Sequence, residues 1–219
     1  MTVPAYPRPV LFLVSAPSGA GKTTLCQRLL TETPGLCYSV SCTTRPARGG
    51  EVDGKDYFFL SRGDFETEIE AGAFLEHAEV YGHYYGTRIS FLQETLGAGN
   101  SVLMDVDVQG AHLIRAALRA PDADPFLRDA FVDIFIHPPS LHQLRMRLEG
   151  RGKDAPEVIE RRLRNAELEI AEAEHYQFQM VNEDLETAYT TFRSIFHASR
   201  HRTVRPLTPP RDALNLTGL

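Results

Sequence analysis

Lys22 and Thr23 close a run, Ala16-Pro17-Ser18-Gly19-Ala20-Gly21-Lys22-Thr23-Thr24, whose residue types suit the binding of a polyphosphate. Gly19 and Gly21 permit positive φ and leave room for a phosphate to touch the main chain. The loop's N–H groups then point inward at the start of a helix, where the dipole also favours an anion. The Lys22 ammonium would reach β- and γ-phosphates, and the Thr23 hydroxyl would hold Mg²⁺. Five apolar residues, Val10 to Val14, come first and read as a buried strand, being too few for a helix. Strand, loop, Gly-Lys-Thr and helix in this order make a P-loop, with Ala16 where the pattern opens on glycine.

Two further groups could act on the same phosphates. Ser101-Val102-Leu103-Met104-Asp105 is an apolar run ending in a carboxylate, the pattern of a Walker B strand, so Asp105 is placed to order metal-bound water. From Arg145 to Arg164 there are six Arg and one Lys against Glu149, Asp154, Glu157 and Glu160, a local charge of +3 in a chain of −6. Such a run is ordinarily a solvated helix face. Here Gly150 and Gly152 bracket Arg151, so the basic stretch contains a break at which it could move.

The elements that must position these groups alternate. Helices are expected from Lys22 to Thr31 (burying Leu25, Leu29 and Leu30), Asp64 to Ala71 with Asp64 as N-cap, Ser90 to Leu96, Gln109 to Leu118 and Leu141 to Leu148. A long helix runs to about Glu174 behind an Asp154/Glu157 capping box. The last helix starts near Asp184, with Leu185, Tyr189, Phe192 and Phe196 as its core face. Strands are expected at Tyr38 to Cys42, Asp56 to Leu60, Phe74 to Val80, Ser101 to Asp107, Phe131 to Ile136 and Phe178 to Val181. Tyr81 to Gly86 reads as a Tyr- and Gly-rich turn, and Arg119 to Asp129 as an exposed loop. The alternation predicts an α/β fold with a parallel sheet flanked by helices on both faces.

The segment Ser39-Val40-Ser41-Cys42-Thr43-Thr44-Arg45-Pro46-Ala47-Arg48-Gly49-Gly50-Glu51-Val52-Asp53-Gly54-Lys55-Asp56-Tyr57 resembles the nucleotide-monophosphate loop of guanylate kinases. Matching pieces follow in order: Phe74 to Glu79, Tyr84-Tyr85-Gly86-Thr87, Asp105 to Gly110, Arg147 to Gly152, and Val181-Asn182-Glu183-Asp184. The likeness covers roughly residues 10 to 200. Pro46 sits one residue earlier than usual, and the loop at 119–129 is longer. The resemblance implies a P-loop NTPase core at 8–41 and 89–204, an inserted GMP-binding lobe at 42–88 and an Arg-rich lid at about 145–164. It implies that Arg45 and Arg48, with the hydroxyls of Tyr57 and Tyr85, clamp the GMP phosphate, where guanidinium forks suit a dianion. Glu76 would accept the guanine N1–H and N2–H₂ donors, Asp107 would take a further N2 hydrogen, and Ser41 and Thr87 would donate to O6. Arg147, Arg151 and Arg162 would cover the migrating phosphoryl group, with Lys22 and Arg45, and closure would exclude water. The implied reaction is Mg²⁺-dependent transfer from ATP to GMP, with dGMP as a further substrate.

Bulk properties agree with such an enzyme. Hydrophobic residues are 42% and charged residues 24% of 219, ordinary for a globular domain. The negative charge disfavours nucleic acid and acidic membrane as partners. No run approaches the ~20 apolar residues of a membrane span. Cys26, Cys37 and Cys42 form no CxxC pair and read as structural thiols in a reducing compartment, the cytoplasm. His77 and His137 read as structural too. Residues 1–9 read as a loose arm and 205–219 as a disordered tail. The sequence leaves monomer or homo-oligomer open. One rival from another class is an interaction module that binds phosphorylated peptides through the GMP lobe, against which the intact Gly21-Lys22-Thr23 argues. Another is a different nucleoside monophosphate kinase, against which Glu76 argues, since adenine would leave that carboxylate unpaired.

Overall fold

The computed structural model describes residues 7–150, 152 and 154–203. The expectations for residues 1–6, for the tail at 205–219 and for Arg151 fall outside the described residues. In chain order come β1 (Leu11–Ser15), α1 (Lys22–Glu32), β2 (Leu36–Tyr38), β3 (Cys42–Thr43), β4 (Phe58–Phe59), α2 (Arg62–Glu70), β5 (Phe74–Val80), β6 (His83–Arg88) and α3 (Ile89–Gly97). Then follow β7 (Ser101–Asp105), α4 (Val108–Arg119), α5 (Pro125–Ala130), β8 (Phe131–His137), α6 (Leu141–Glu149), α7 (Pro156–Ala171), β9 (Phe178–Val181) and α8 (Leu185–Ser199).

Five strands form a parallel sheet in the order β2-β7-β1-β8-β9. β1 lies at its centre and is buried along its whole length, as expected of a strand covered on both faces. Its side chains alternate between two layers. Phe12 and Val14 pack with Leu25 and Leu29 of α1 and with Phe192 and Phe196 of α8. The Phe12 ring lies 5.5 Å from Phe192 and 5.4 Å from Phe196. Leu11 and Leu13 pack instead with Leu92 and Leu96 of α3 and Ile114 of α4. The fold is thus α/β, with helices on both sides of a parallel sheet, as the alternation predicts. Because all five strands run the same way, the loops after β1 and β7 open at one end of the sheet.

A second sheet, β4-β3-β6-β5, holds the residues between Cys42 and Arg88. The expected strand from Tyr38 to Cys42 is split between the sheets. The Ser39 amide still donates to Leu103 at 2.9 Å, and then the chain leaves, so Cys42 pairs with Phe58 and Gly86. The expected turn at Tyr81 to Gly86 is only two residues long. Tyr81 (φ 50°) and Gly82 (φ 80°) both take positive φ, which suits a tight hairpin, and Tyr84, Tyr85 and Gly86 lie in β6.

Other boundaries also differ. α2 is capped by Ser61, whose hydroxyl accepts from the Asp64 amide at 3.1 Å, so Asp64 stands in the first turn. α5 begins within the expected loop at 119–129, with Asp124 as cap and Pro125 at a position where a missing N–H costs nothing. No capping box opens α7. Pro156 stands in its first turn, and Asp154 instead pairs with Arg162 at 3.2 Å. A 3₁₀ turn, Glu172–His175, follows α7. Leu185 is exposed, whereas Tyr189, Phe192 and Phe196 are buried. No helix among the described residues is long and apolar enough to cross a membrane.

Candidate functional site

The loop at 16–24 leaves the buried end of β1 and turns into α1. The Ala20 amide donates to Pro17 at 3.0 Å, closing a tight turn. Gly19 (φ 100°) and Gly21 (φ 93°) occupy the left-handed region that the sequence reserves for glycine. Ala16 has no positive φ, so its departure from glycine asks nothing unusual of the backbone. Gly21 is fixed by space as well. A Cβ there would lie 2.3 Å from Asn182 Nδ2, which donates to the Ala20 carbonyl at 2.7 Å. A Cβ at Gly19 would meet Leu144 of α6 at 2.9 Å, so α6 rests directly on the loop.

Lys22 lies across the end of β7. Its Nζ pairs with the Asp105 carboxylate and donates to the Val106 carbonyl at 3.0 Å. The predicted cation and the predicted acidic residue are therefore neighbours. Thr23 is exposed, and its hydroxyl makes no hydrogen bond among the described residues. Thr24, Gly19 and Gly21 share a cleft of about 430 Å³ with Arg147, Gly150, Asn182, Glu183 and Leu185.

A smaller cleft, about 110 Å³, lies between the sheets. Tyr38, Met104, Asp105 and Val106 line it from the parallel sheet, and Ser41, Tyr57 and Thr87 from the other side. Arg45 is held beside Tyr57, its guanidinium 5.3 Å from the ring centroid, and the Tyr57 and Tyr85 rings are 6.0 Å apart. Two parallel bonds of 3.0 and 2.8 Å join Arg45 to Glu51. The Arg48 amide donates to the same carboxylate at 2.7 Å. Arg45 and then the Arg48 amide hold the Glu51 carboxyl below its ordinary range.

Glu76 in β5 faces Thr87 in β6. The Thr87 hydroxyl donates to Glu76 Oε1 at 2.9 Å. Burial pushes the Glu76 carboxyl above its ordinary range; the Thr87 bond opposes this and the nearby Asp107 adds to it. Asp107 caps α4 by accepting from the Gly110 amide at 2.8 Å, which engages one of its two oxygens.

The basic segment folds as two helices with a small core of their own: Leu144, Leu148, Ile159, Leu163 and Ala166. Arg145 of α6 bridges to Glu160 of α7 at 2.5 and 3.0 Å. Arg147 donates to the Asn182 carbonyl at 2.9 Å. Glu51 and Asn182 had no role in the sequence reading. The available signals were a carboxylate six residues after Arg45 and a polar residue just beyond an apolar strand. Burial pushes the Cys26 thiol to about 12 and Cys42 to about 11, consistent with structural, protonated groups.

A family model described as guanylate kinase matches residues 7–199. A guanylate kinase of Symbiobacterium thermophilum is 45% identical over 203 residues, covering 93% of this chain and 92% of the relative. One from Syntrophotalea carbinolica is 46% identical over 196 residues, covering 90% and 89%. The crystal structure of a guanylate kinase from Anaplasma phagocytophilum superposes with a TM-score of 0.64 at 35% identity, covering 90% of this chain and 89% of that one.

Proposed function

Because the chain belongs to the guanylate kinase family, we infer that it transfers the γ-phosphoryl group of ATP to GMP, giving ADP and GDP. The observation that carries the reading is the cleft in which Asp105, the partner of Lys22, meets Ser41, Tyr57 and Thr87 from the second sheet. There a nucleophile held by residues 42–88 faces a donor held by the loop at 16–24.

In this reading Ala16 to Thr24 bind the ATP phosphates, and Lys22 turns from Asp105 to the β- and γ-oxygens. Arg45, Arg48, Tyr57 and Tyr85 hold the GMP phosphate, while Glu76, Asp107, Ser41 and Thr87 meet the guanine edge, Thr87 turning its hydroxyl from Glu76 to O6. Arg147, Arg151 and Arg162 close over the migrating group as a lid at about 145–164. No general base is required, since the GMP phosphate is already an anionic nucleophile. Mg²⁺ fits the site, because the unengaged Thr23 hydroxyl and the Asp105 carboxylate are hard oxygen donors. When bound it would neutralise charge on the β- and γ-oxygens. dGMP is proposed to react as well, since none of the assigned groups reads the ribose. The three unbridged cysteines support a cytoplasmic location.

The test is ADP release with GMP, dGMP, AMP, CMP and UMP as acceptors. GMP should be preferred by orders of magnitude. Equal turnover with AMP would overturn the guanine assignment. No turnover with any acceptor, alongside binding of a phosphorylated peptide, would favour an interaction module.

A further inference from the structure

A cavity of about 410 Å³ lies far from this chemistry, at the opposite end of the parallel sheet. Its wall includes Phe131 and Asp133 at the start of β8, whereas the phosphate-binding loop follows the end of the parallel strand β1. Arg115, Leu118 and Arg119 of α4 contribute a second side. Arg128 and Asp129 of α5 and Arg202 after α8 contribute the rest.

Two of the four arginines are already engaged. Arg115 is buried and donates to Asp133 at 3.0 Å, while the other Asp133 oxygen accepts from the Gln177 amide at 2.9 Å. Arg202 donates to the carbonyls of Asp129 at 2.7 Å and Phe131 at 2.6 Å, and to Gln177 Oε1 at 3.1 Å. The guanidinium groups of Arg119 and Arg128 have no hydrogen bond or ion pair among the described residues. With Asp133 balanced by Arg115, three guanidinium groups face the single carboxylate of Asp129. This excess of positive charge sits in a chain of net charge −6.

We propose that this cavity binds a phosphorylated small molecule, its phosphate held by Arg119 and Arg128. Guanidinium forks match phosphate oxygens in pairs, and a dianion would satisfy both free arginines at once. Leu118 and Phe131 offer apolar surface to an organic body, and the volume falls in the range of small-ligand sites. The Asp129 carboxylate selects against ligands whose charge would lie beside it. The site does not depend on the kinase reading, since it shares no residue with that machinery.

The experiment is an amide NMR titration of the full chain with two probes, inorganic pyrophosphate and ribose 5-phosphate. Either probe should give saturable shifts at Phe131, Gln177 and Thr203, and their relative affinities separate a free polyphosphate from an organic phosphate. The double variant Arg119→Gln/Arg128→Gln should weaken that response at least about tenfold. Its melting temperature and its turnover of ATP and GMP should be unchanged. Lys22→Ala should leave the cavity response intact. Shifts confined to residues 16–24 with both probes, or equal affinity in the double variant, would overturn the proposal.

Discussion

The side-chain amide of Asn182 donates to the main-chain oxygen of Ala20 at 2.7 Å, across 162 residues of chain. The same residue's carbonyl accepts from Arg147 at 2.9 Å. One buried residue just after β9 therefore joins the loop at 16–24, through its side chain, to the basic helix α6, through its main chain. The loop's shape rests on a partner outside the loop.

Asn182→Ala should thus act on the loop without touching a phosphate contact. It leaves the Ala20 carbonyl buried and unpaired, a loss of ~1–3 kcal/mol in stability. The KM for ATP should rise more than the KM for GMP. Equal changes in both constants, or no change in melting temperature, would show that the loop holds its shape unaided.

Lys22→Ala separates chemistry from stability. Lys22 and Asp105 are both partly exposed, so the pair contributes at most about 1 kcal/mol to folding. Turnover should fall by about 10²–10³ or more if the lysine stabilises charge that develops on the phosphates, as proposed. Near-normal activity in the folded variant would remove Lys22 from the site.

How far the sequence reached follows the range of the signals. β1, the loop at 16–24 and α1 were legible because apolar run, glycines and helix are contiguous. The parallel sheet was legible from alternation alone. Tyr81 to Gly86 was misread because glycine and tyrosine look turn-like, but Gly86 is there for space: a Cβ would lie 3.1 Å from the Phe65 ring. Asp124 and Pro125 mark a helix start that resembles a loop when read locally. The Asn182 contact was illegible because its partner is distant in sequence. The Arg45–Glu51 pair was within reach, yet carboxylates near arginines are too common on surfaces to single one out.

Glu51→Gln tests whether that pair prepares Arg45 for substrate. Two bonds to Arg45 and one from the Arg48 amide make Glu51 the hub of the segment. An amide cannot accept through both positions, so Arg45 should lose its fixed orientation. KM for GMP should rise severalfold with kcat little changed. A lower KM would mean that Glu51 competes with the substrate phosphate for Arg45.

Closure of the basic segment predicts an effect on turnover more than on binding. Arg151→Ala should reduce kcat far more than it weakens GMP affinity, since in the proposed mechanism the interaction would be made only as charge migrates. Amide exchange across residues 147–162 should slow when both nucleotides are bound. If GMP affinity alone changed, Arg151 would belong with the acceptor, and unchanged exchange would count against closure.

Glu76→Gln opposes stability to specificity. Burial, with Asp107 nearby, raises the Glu76 carboxyl above its ordinary value of 4.5 in the folded chain. The folded state then holds a proton that the unfolded chain has released. Stability from this group is therefore present at low pH and is lost as pH rises from 4.5 through the raised value. Glutamine cannot ionise and still accepts from Thr87, so at neutral pH the variant should be as stable as the parent or more so. Its stability should also vary less with pH across that window. Catalysis should move the other way. The amide presents an N–H to a guanine N–H, which costs GMP about 2–4 kcal/mol in transition-state stabilisation. AMP, with an unprotonated N1, should lose less. The ratio of kcat/KM for GMP over AMP is the informative quantity, because general damage lowers both. A ratio that held while melting temperature fell would show that Glu76 supports the second sheet and does not read the base.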